Sequence, residues 1–200
     1  MSAPEASARI GPNAIIQMAA ALARAVGEDE RRRLFAAAGL EHYLAALPEA
    51  MVDEGEVTRL HRVVREALGE VRARDASIEA GERTGDYILA NRIPRPVQRV
   101  LKILPPALAS RLLLRAIARH AWTFAGSGVF RAEAGHPVRV SITGCPICRG
   151  AQVESAACAY YAATFERLFQ DLVSPRSRVQ EIACEALGAP ACSFEIRWRR

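Results

Sequence analysis

The sequence predicts an α+β fold, a helical N-terminal half packed with a small antiparallel sheet. Two observations carry this. Apolar residues recur at spacings of three and four as far as residue 125, and at a spacing of two in short segments after Gly126. The cysteines divide near the same place: the first 144 residues have none, and Cys145, Cys148, Cys158, Cys184 and Cys192 all follow. The expected organisation is a flexible tail over 1–9, a helical region over 10–125 and a cysteine-bearing core over 126–200.

The elements follow in order. Pro12 suits a first helical turn, and Ile15, Met18, Ala19, Leu22, Ala23 and Val26 make one apolar face before Gly27 ends the helix. Glu28–Ala38 is a second helix, stopped by Gly39, and Leu40–Leu47 a short third, stopped by Pro48. Val57, Leu60, His61, Val64, Ala67 and Leu68 form the face of a fourth, and Ala76–Asn91 a fifth. Val97–Leu104 is a short basic amphipathic piece between proline pairs, and a long helix is expected from Ala107 to Phe124. Beyond Gly126 the period changes. Val129 begins an extended stretch, Ala134–Pro137 turns, and Val138, Val140 and Ile142 alternate with polar residues. Ser155–Val173 reads as a helix, Arg178–Cys184 as a strand and Cys192, Phe194, Ile196 and Trp198 as one face of a last strand. Short connections make both strand pairs antiparallel.

Composition narrows the function. The chain is 50% hydrophobic and 24% charged, which excludes wholesale disorder, and at 6% aromatic its core must be built from aliphatic residues. The formal charge is +5, but Lys102 is the only lysine, and no dense basic run interleaves with aromatics, so no nucleic-acid partner is expected. No segment reaches the roughly 18–20 apolar residues that span a bilayer. The start, MSAPEASARIG, has no basic region followed by an apolar one. A cytoplasmic protein is expected, with reduced thiols, in which five cysteines point to metal or redox chemistry.

Zinc takes about four ligands in a tetrahedron. Glu181, Cys184 and Cys192 form E-x2-C-x7-C across the last hairpin, whose turn brings the two cysteines together. Cys158, near the start of the preceding helix, completes a four-ligand set, with Arg149, Arg178 and Arg197 as candidates to balance its negative charge. Cys145 and Cys148 form a further C-x2-C pair. It can replace Glu181 in an all-thiolate site or act as a redox couple; inert buried thiols and an iron–sulfur cluster are the other readings.

The segment CPICRG, SAACAYYAATFERLF and VQEIACEALGAPACSFEI resembles the 4-vinyl reductase domain family. That family includes the sensor domains of phenol-responsive transcription activators and is related in fold to TRAPP transport subunits. In its zinc-binding sensors, a helix cysteine joins a Glu-x2-Cys-x7-Cys hairpin, and Cys158, Glu181, Cys184 and Cys192 occupy those positions. The stretches RIGPNAIIQMAAAL, GDYILANRIPRPVQRVLKILP and HAWTFAGSGVF extend the resemblance over nearly the whole chain, toward the bacteriochlorophyll-biosynthesis branch. The resemblance implies a chlorophyllide-type tetrapyrrole as ligand, reduction of its 8-vinyl group (position 4 in old numbering) as the reaction served, and other pigment-biosynthesis enzymes as partners.

A reductase needs an electron source. The only G-x-G, Gly126-Ser127-Gly128, follows a helix and precedes a strand and lacks a third glycine, so no NAD(P) or flavin motif is read, and catalytic residues stay unassigned. Zinc itself does no redox chemistry. Binding or delivery of the pigment is therefore the leading expectation, with an autonomous 8-vinyl reductase and a small-molecule sensor module as alternatives. Candidate pigment contacts are Tyr87, Trp122, Phe124, Phe130 and Tyr160, with His120 as an axial ligand, although each is equally explained as core packing. Arg95, Arg99, Lys102, Arg111, Arg115 and Arg119 lie among apolar residues over Pro94–His120, a pattern that suits peripheral contact with an anionic membrane or simply a solvated helix face.

Overall fold

Two crossings organise the fold: a long interrupted helix against a later helix, and that later helix against a four-stranded sheet. The computed structural model describes residues 8–198. Most of the tail expected over 1–9 lies outside the described residues. Arg9 belongs instead to a short strand, β1 (Arg9–Ile10), paired antiparallel with β2 (Val52–Asp53). Helices α1 (Asn13–Val26), α2 (Glu28–Ala37) and α3 (His42–Ala45) lie between these strands. Glu28, Asp29 and Glu30 sit in the first turn of α2, where the helix dipole favours negative charge.

The fourth and fifth expected helices are one element, α4 (Glu54–Asn91), capped by the Asp53 carboxylate on Gly55 N–H at 2.7 Å. Its interruption falls at Gly69, with φ 74 and ψ 164, a conformation that side chains disfavour. The residues expected to link two helices are thus already helical. The last predicted long helix divides into α6 (Pro106–Arg119) and α7 (Trp122–Ala125), preceded by α5 (Arg95–Ile103). The division has a local cause. His120 leaves helical geometry, its Nδ1 meets the Ala116 carbonyl at 2.8 Å, and Thr123 Oγ1 donates to the His120 carbonyl at 2.7 Å.

Strands β3 (Val129–Glu133) and β4 (Val138–Thr143) form one hairpin, and β5 (Arg178–Ala183) and β6 (Cys192–Arg197) another. A single antiparallel sheet results, in the order β3-β4-β6-β5. Val138, Val140, Ile142, Cys192, Phe194 and Ile196 face inward as the alternation predicts. Helix α8 (Ala159–Leu172) covers this face, with Phe165 edge-on to Phe194 at 5.7 Å. It starts four residues later than the apolar spacing suggests, because residues 151–158 form the approach to Cys158 instead.

The second half of α4 packs tightly on α8. A Cβ at Gly81 would lie 2.3 Å from the Tyr160 carbonyl oxygen, and one at Gly85 would lie 2.7 Å from Arg167 Cβ. Thr164 Oγ1 donates to the Gly81 carbonyl at 3.0 Å, and the Thr84 and Tyr160 hydroxyls are 2.8 Å apart. One continuous apolar core runs from α1 through α4 and α8 to the sheet. Among the described residues no helix is long and apolar enough to cross a membrane.

Candidate metal centre

All five cysteines meet under the sheet, where α8, the last hairpin and the loop after β4 converge, and each is at most 1% exposed. Four hydrogen-bonding side chains or pairs fix that loop. Glu185 accepts from the Gly144 and Cys145 amides, each at 2.7 Å. Thr58 Oγ1 donates to the Pro146 carbonyl at 2.7 Å, and Arg65 to the Ile147 carbonyl at 2.9 Å. Arg149 donates to the Gly144 carbonyl at 2.8 Å and to buried Glu54 at 2.6 Å. Glu54 also accepts from Ser127 N–H and Oγ, each at 2.7 Å. Burial opposes ionisation of Glu54, but the Arg149 and Ser127 hydrogen bonds outweigh it and hold the carboxyl below its usual range.

The sulfurs form a compact group. Cys145 and Cys158 are 3.5 Å apart, Cys148 and Cys192 3.3 Å, Cys158 and Cys192 3.4 Å, and Cys184 and Cys192 4.0 Å. Four thiolates around zinc at about 2.3 Å stand about 3.8 Å from one another. The spacing therefore suits a tetrahedral ion. Two overlapping four-ligand sets are present: Cys145, Cys148, Cys158 and Cys192, and Cys158, Glu181, Cys184 and Cys192. The second is the set read from the E-x2-C-x7-C pattern; the first brings in the C-x2-C pair.

Glu181 fits a ligand role. Its Oε2 accepts from the Cys158 amide at 2.8 Å, while Oε1 is buried with no hydrogen-bond partner. Burial, then the neighbouring Cys184 charge, pushes its carboxyl up to about 8. Without an ion the thiols compete for protons. Hydrogen bonding from Cys145 and Cys158 drives Cys148 well below the usual thiol range, and contacts with Cys145 and Cys148 hold Cys158 and Cys192 above it. A cation removes that competition.

Arg65 provides the balancing charge that the sequence reading placed elsewhere. Burial lowers the pKa of its guanidinium, and the thiolates of Cys158, Cys148, Cys145 and Cys184 oppose that shift. The three arginines expected in this role have other partners: Arg149 binds Glu54, Arg178 lies 3.6 Å from Glu166, and Arg197 pairs with Glu195. Arg65 lies one turn beyond His61 on the apolar face of α4, a position where a lone arginine was a visible but unread signal.

Comparison with known proteins places this centre in a family. Residues 138–198 match the model of the 4-vinyl reductase (V-4-R) domain. The bacteriochlorophyll synthase 23 kDa chain of Cereibacter sphaeroides is 46% identical over 194 residues, spanning 96% of this chain and 92% of that protein. The chain belongs to the bacteriochlorophyll synthase 23 kDa chain family. The Rhodobacter capsulatus member is 41% identical, spanning 94% of this chain and 86% of that protein. Solved structures with the same fold, at 11–13% identity, include an unliganded Fe(II) H-NOX protein variant from K. algicida (TM-score 0.63, covering 96% of this chain and 97% of that one). A structure probing heme distortion in the H-NOX family superposes with TM-score 0.59, covering 96% of each chain. The phenol-responsive sensory domain of the activator PoxR superposes with TM-score 0.53, covering 74% of this chain and 77% of that one.

In this member of the 23 kDa chain family the expected pigment contacts are dispersed. Trp122 is 60% exposed and His120 is at the surface, its Nδ1 occupied by the Ala116 carbonyl. Phe124 and Phe130 stack edge-to-face at 5.4 Å within an aromatic group that includes Tyr161 and Phe165. Tyr87 lies beneath the Arg92 guanidinium, and Tyr160 is buried on Thr84. None of the six lines the cleft between α4, α8 and β5, which encloses about 330 Å³. Its floor is alanine (Ala159, Ala162, Ala163), its rim carries Arg74 and Arg167, and Glu181 joins it to the thiol cluster. Sequence reasoning missed this cleft because small residues on α8 give no signal until α4 and β5 are placed around them.

Proposed function

We propose that the chain serves bacteriochlorophyll biosynthesis by binding a divinyl (proto)chlorophyllide-type tetrapyrrole and presenting it to other pigment-biosynthesis enzymes for reduction of the 8-vinyl group. Near-full-length identity to two 23 kDa chains supports the pathway. One observation favours binding over catalysis: every thiol in the cluster is at most 1% exposed, so an ion held there has protein ligands and no face open to a substrate. Zinc is the metal proposed, held by Cys158 and Cys192 with partners from Cys145, Cys148, Glu181 and Cys184. When bound, it supplies a cross-link between α8, the loop after β4 and the last hairpin.

The cleft beside Glu181 is the proposed pigment seat. An alanine floor accepts a flat macrocycle, and Arg74 and Arg167 at the rim suit carboxylate side groups. The H-NOX likeness is consistent with this, since one of those structures concerns heme, itself a tetrapyrrole.

The test combines the purified chain with divinyl protochlorophyllide, with and without NADPH. A shifted visible absorption band and no 8-ethyl product are expected. Formation of the 8-ethyl pigment by the pure chain would replace delivery with autonomous reduction. Indifference to pigment together with saturable phenol binding would favour the sensor reading that the PoxR likeness suggests.

A further inference from the structure

Independently of the pigment, we infer that the outer sides of α5 and α6, with Trp122, form a surface that docks on an anionic lipid bilayer. Residues 87–132 contain no aspartate or glutamate but carry Lys102 and seven arginines. Among the described residues Arg95, Arg99, Arg111, Arg115 and Arg119 are exposed and make no ion pair; Lys102 alone is paired, with Asp171 at 2.8 Å.

The same segment carries a concentration of exposed large apolar side chains. Val97 is 47% exposed, Val100 50%, Ile103 81%, Leu108 47%, Leu112 44% and Trp122 60%. These residues are not failed core positions. Both helices pack against α8 and bury Leu101, Leu113 and Leu114 on their inner sides. The exposed apolar groups occupy the outer sides, interleaved with the arginines.

Charge decides among occupants. A second copy presenting the same face would oppose unpaired arginines to arginines, which is repulsive. A nucleic acid would use the charges but leave the valine, isoleucine and leucine tips in water. An anionic bilayer satisfies both: phosphates meet the guanidinium groups, the aliphatic tips enter the acyl boundary, and Trp122 sits at the headgroup level. A chlorophyllide-type ligand is itself mostly apolar, so a bilayer station also suits the proposed cargo, but the docking stands or falls separately.

The experiment is co-sedimentation of the full chain with vesicles of phosphatidylcholine alone or of equal parts phosphatidylcholine and phosphatidylglycerol. Partition into the anionic vesicles only, weakening as salt is raised, is expected. Arg111→Glu with Arg115→Glu should lower partition by at least about 25-fold, roughly fivefold per arginine removed. Ile103→Asp should lower it without changing the melting temperature, because the side chain is already solvated in the free protein. Equal partition into both vesicle types, no partition into either, or variants indistinguishable from the parent would overturn the inference. So would concentration-dependent dimerisation abolished by Ile103→Asp, which would assign the face to a second copy. Pigment binding by absorption, measured without vesicles, separates failure here from failure of the pigment reading.

Discussion

Cys158 Sγ lies 3.4 Å from Cys192 Sγ, and these are the two thiols common to both four-ligand sets found among the described residues. One stands at the start of α8 and the other begins β6. The cluster is thus built around a helix-to-sheet contact, and the remaining ligands come from two separate arms. The C-x2-C loop reaches in from one side and the E-x2-C turn from the other.

This arrangement makes the cysteines unequal. Elemental analysis should find about one zinc per chain. Cys158→Ser and Cys192→Ser should each lose most of the metal, with a fall in melting temperature, because no complete set survives either change. Cys145→Ser leaves the Glu181 set whole, and Cys184→Ser leaves the four-thiol set whole, so each should retain zinc at lower affinity. Full occupancy in the Cys158→Ser, Cys192→Ser double variant would sink the assignment.

Much of the architecture was legible because period and punctuation agree. The change of spacing at Gly126, the inward alternation from Val138 to Ile142 and the stop at Gly27 are local facts that tertiary structure left in place. The hairpin thiols were legible for the same reason, since the turn between Cys184 and Cys192 is short. What escaped was non-local. Arg65 faces the thiolates only because α4 crosses beneath the loop after β4. Glu54 and Ser127 are 73 residues apart, and nothing in either segment announces the other. The β1–β2 pair is two residues long, below what alternation can reveal.

Glu54 should prove important to metal affinity without touching a sulfur. Its carboxylate joins Arg149, on the C-x2-C loop, to the Ser127 turn. Glu54→Gln keeps the shape but removes the charge and puts an amide N–H₂ against donors. A loss of about 3 kcal/mol in stability is expected from breaking a largely buried pair. Zinc transfer to a chelator should also accelerate, as the loop loosens. Unchanged chelation kinetics with lowered stability would show that the loop is held by Glu185, Thr58 and Arg65 alone.

Gly81 tests the seating of α8. Any Cβ there meets the Tyr160 backbone oxygen at 2.3 Å, so the helices must separate. Gly81→Ala should cost about 1–3 kcal/mol by overpacking, and Gly81→Val more. Because Cys158 begins α8, the same variants should weaken zinc retention. Thermal melts in the presence and absence of chelator distinguish the two effects. A Gly81→Val protein as stable as the parent would show that α4 and α8 are less tightly apposed.

His61 gives the pH dependence. It is 1% exposed, lies edge-on to Tyr160 at 5.6 Å, and neither ring nitrogen makes a hydrogen bond of normal geometry. Burial, then the nearby Arg65 charge, lowers its pKa from 6.5 to about 3, and the Ala14 carbonyl offsets this only in part. Between those values the unfolded chain binds a proton that the folded chain refuses. Stability from this group is therefore complete above pH 6.5 and falls as pH drops toward 3, by roughly 1.4 kcal/mol per pH unit. Glu181 acts in the opposite sense in the metal-free protein. Its pKa is raised from 4.5 to about 8, so its contribution is lost as pH rises through that interval. The two slopes oppose each other from about pH 4.5 to 6.5, and the parent curve alone is uninformative. The difference between the parent and His61→Leu, both metal-free, isolates the histidine. Chemical denaturation at a series of pH values should show the variant losing less stability than the parent below pH 6.5, with the gap widening in acid. At pH 7 the variant should melt no lower, since leucine removes an unpartnered polar ring from the core. Parallel curves across this range would mean that His61 is protonated, or solvated, in the folded chain.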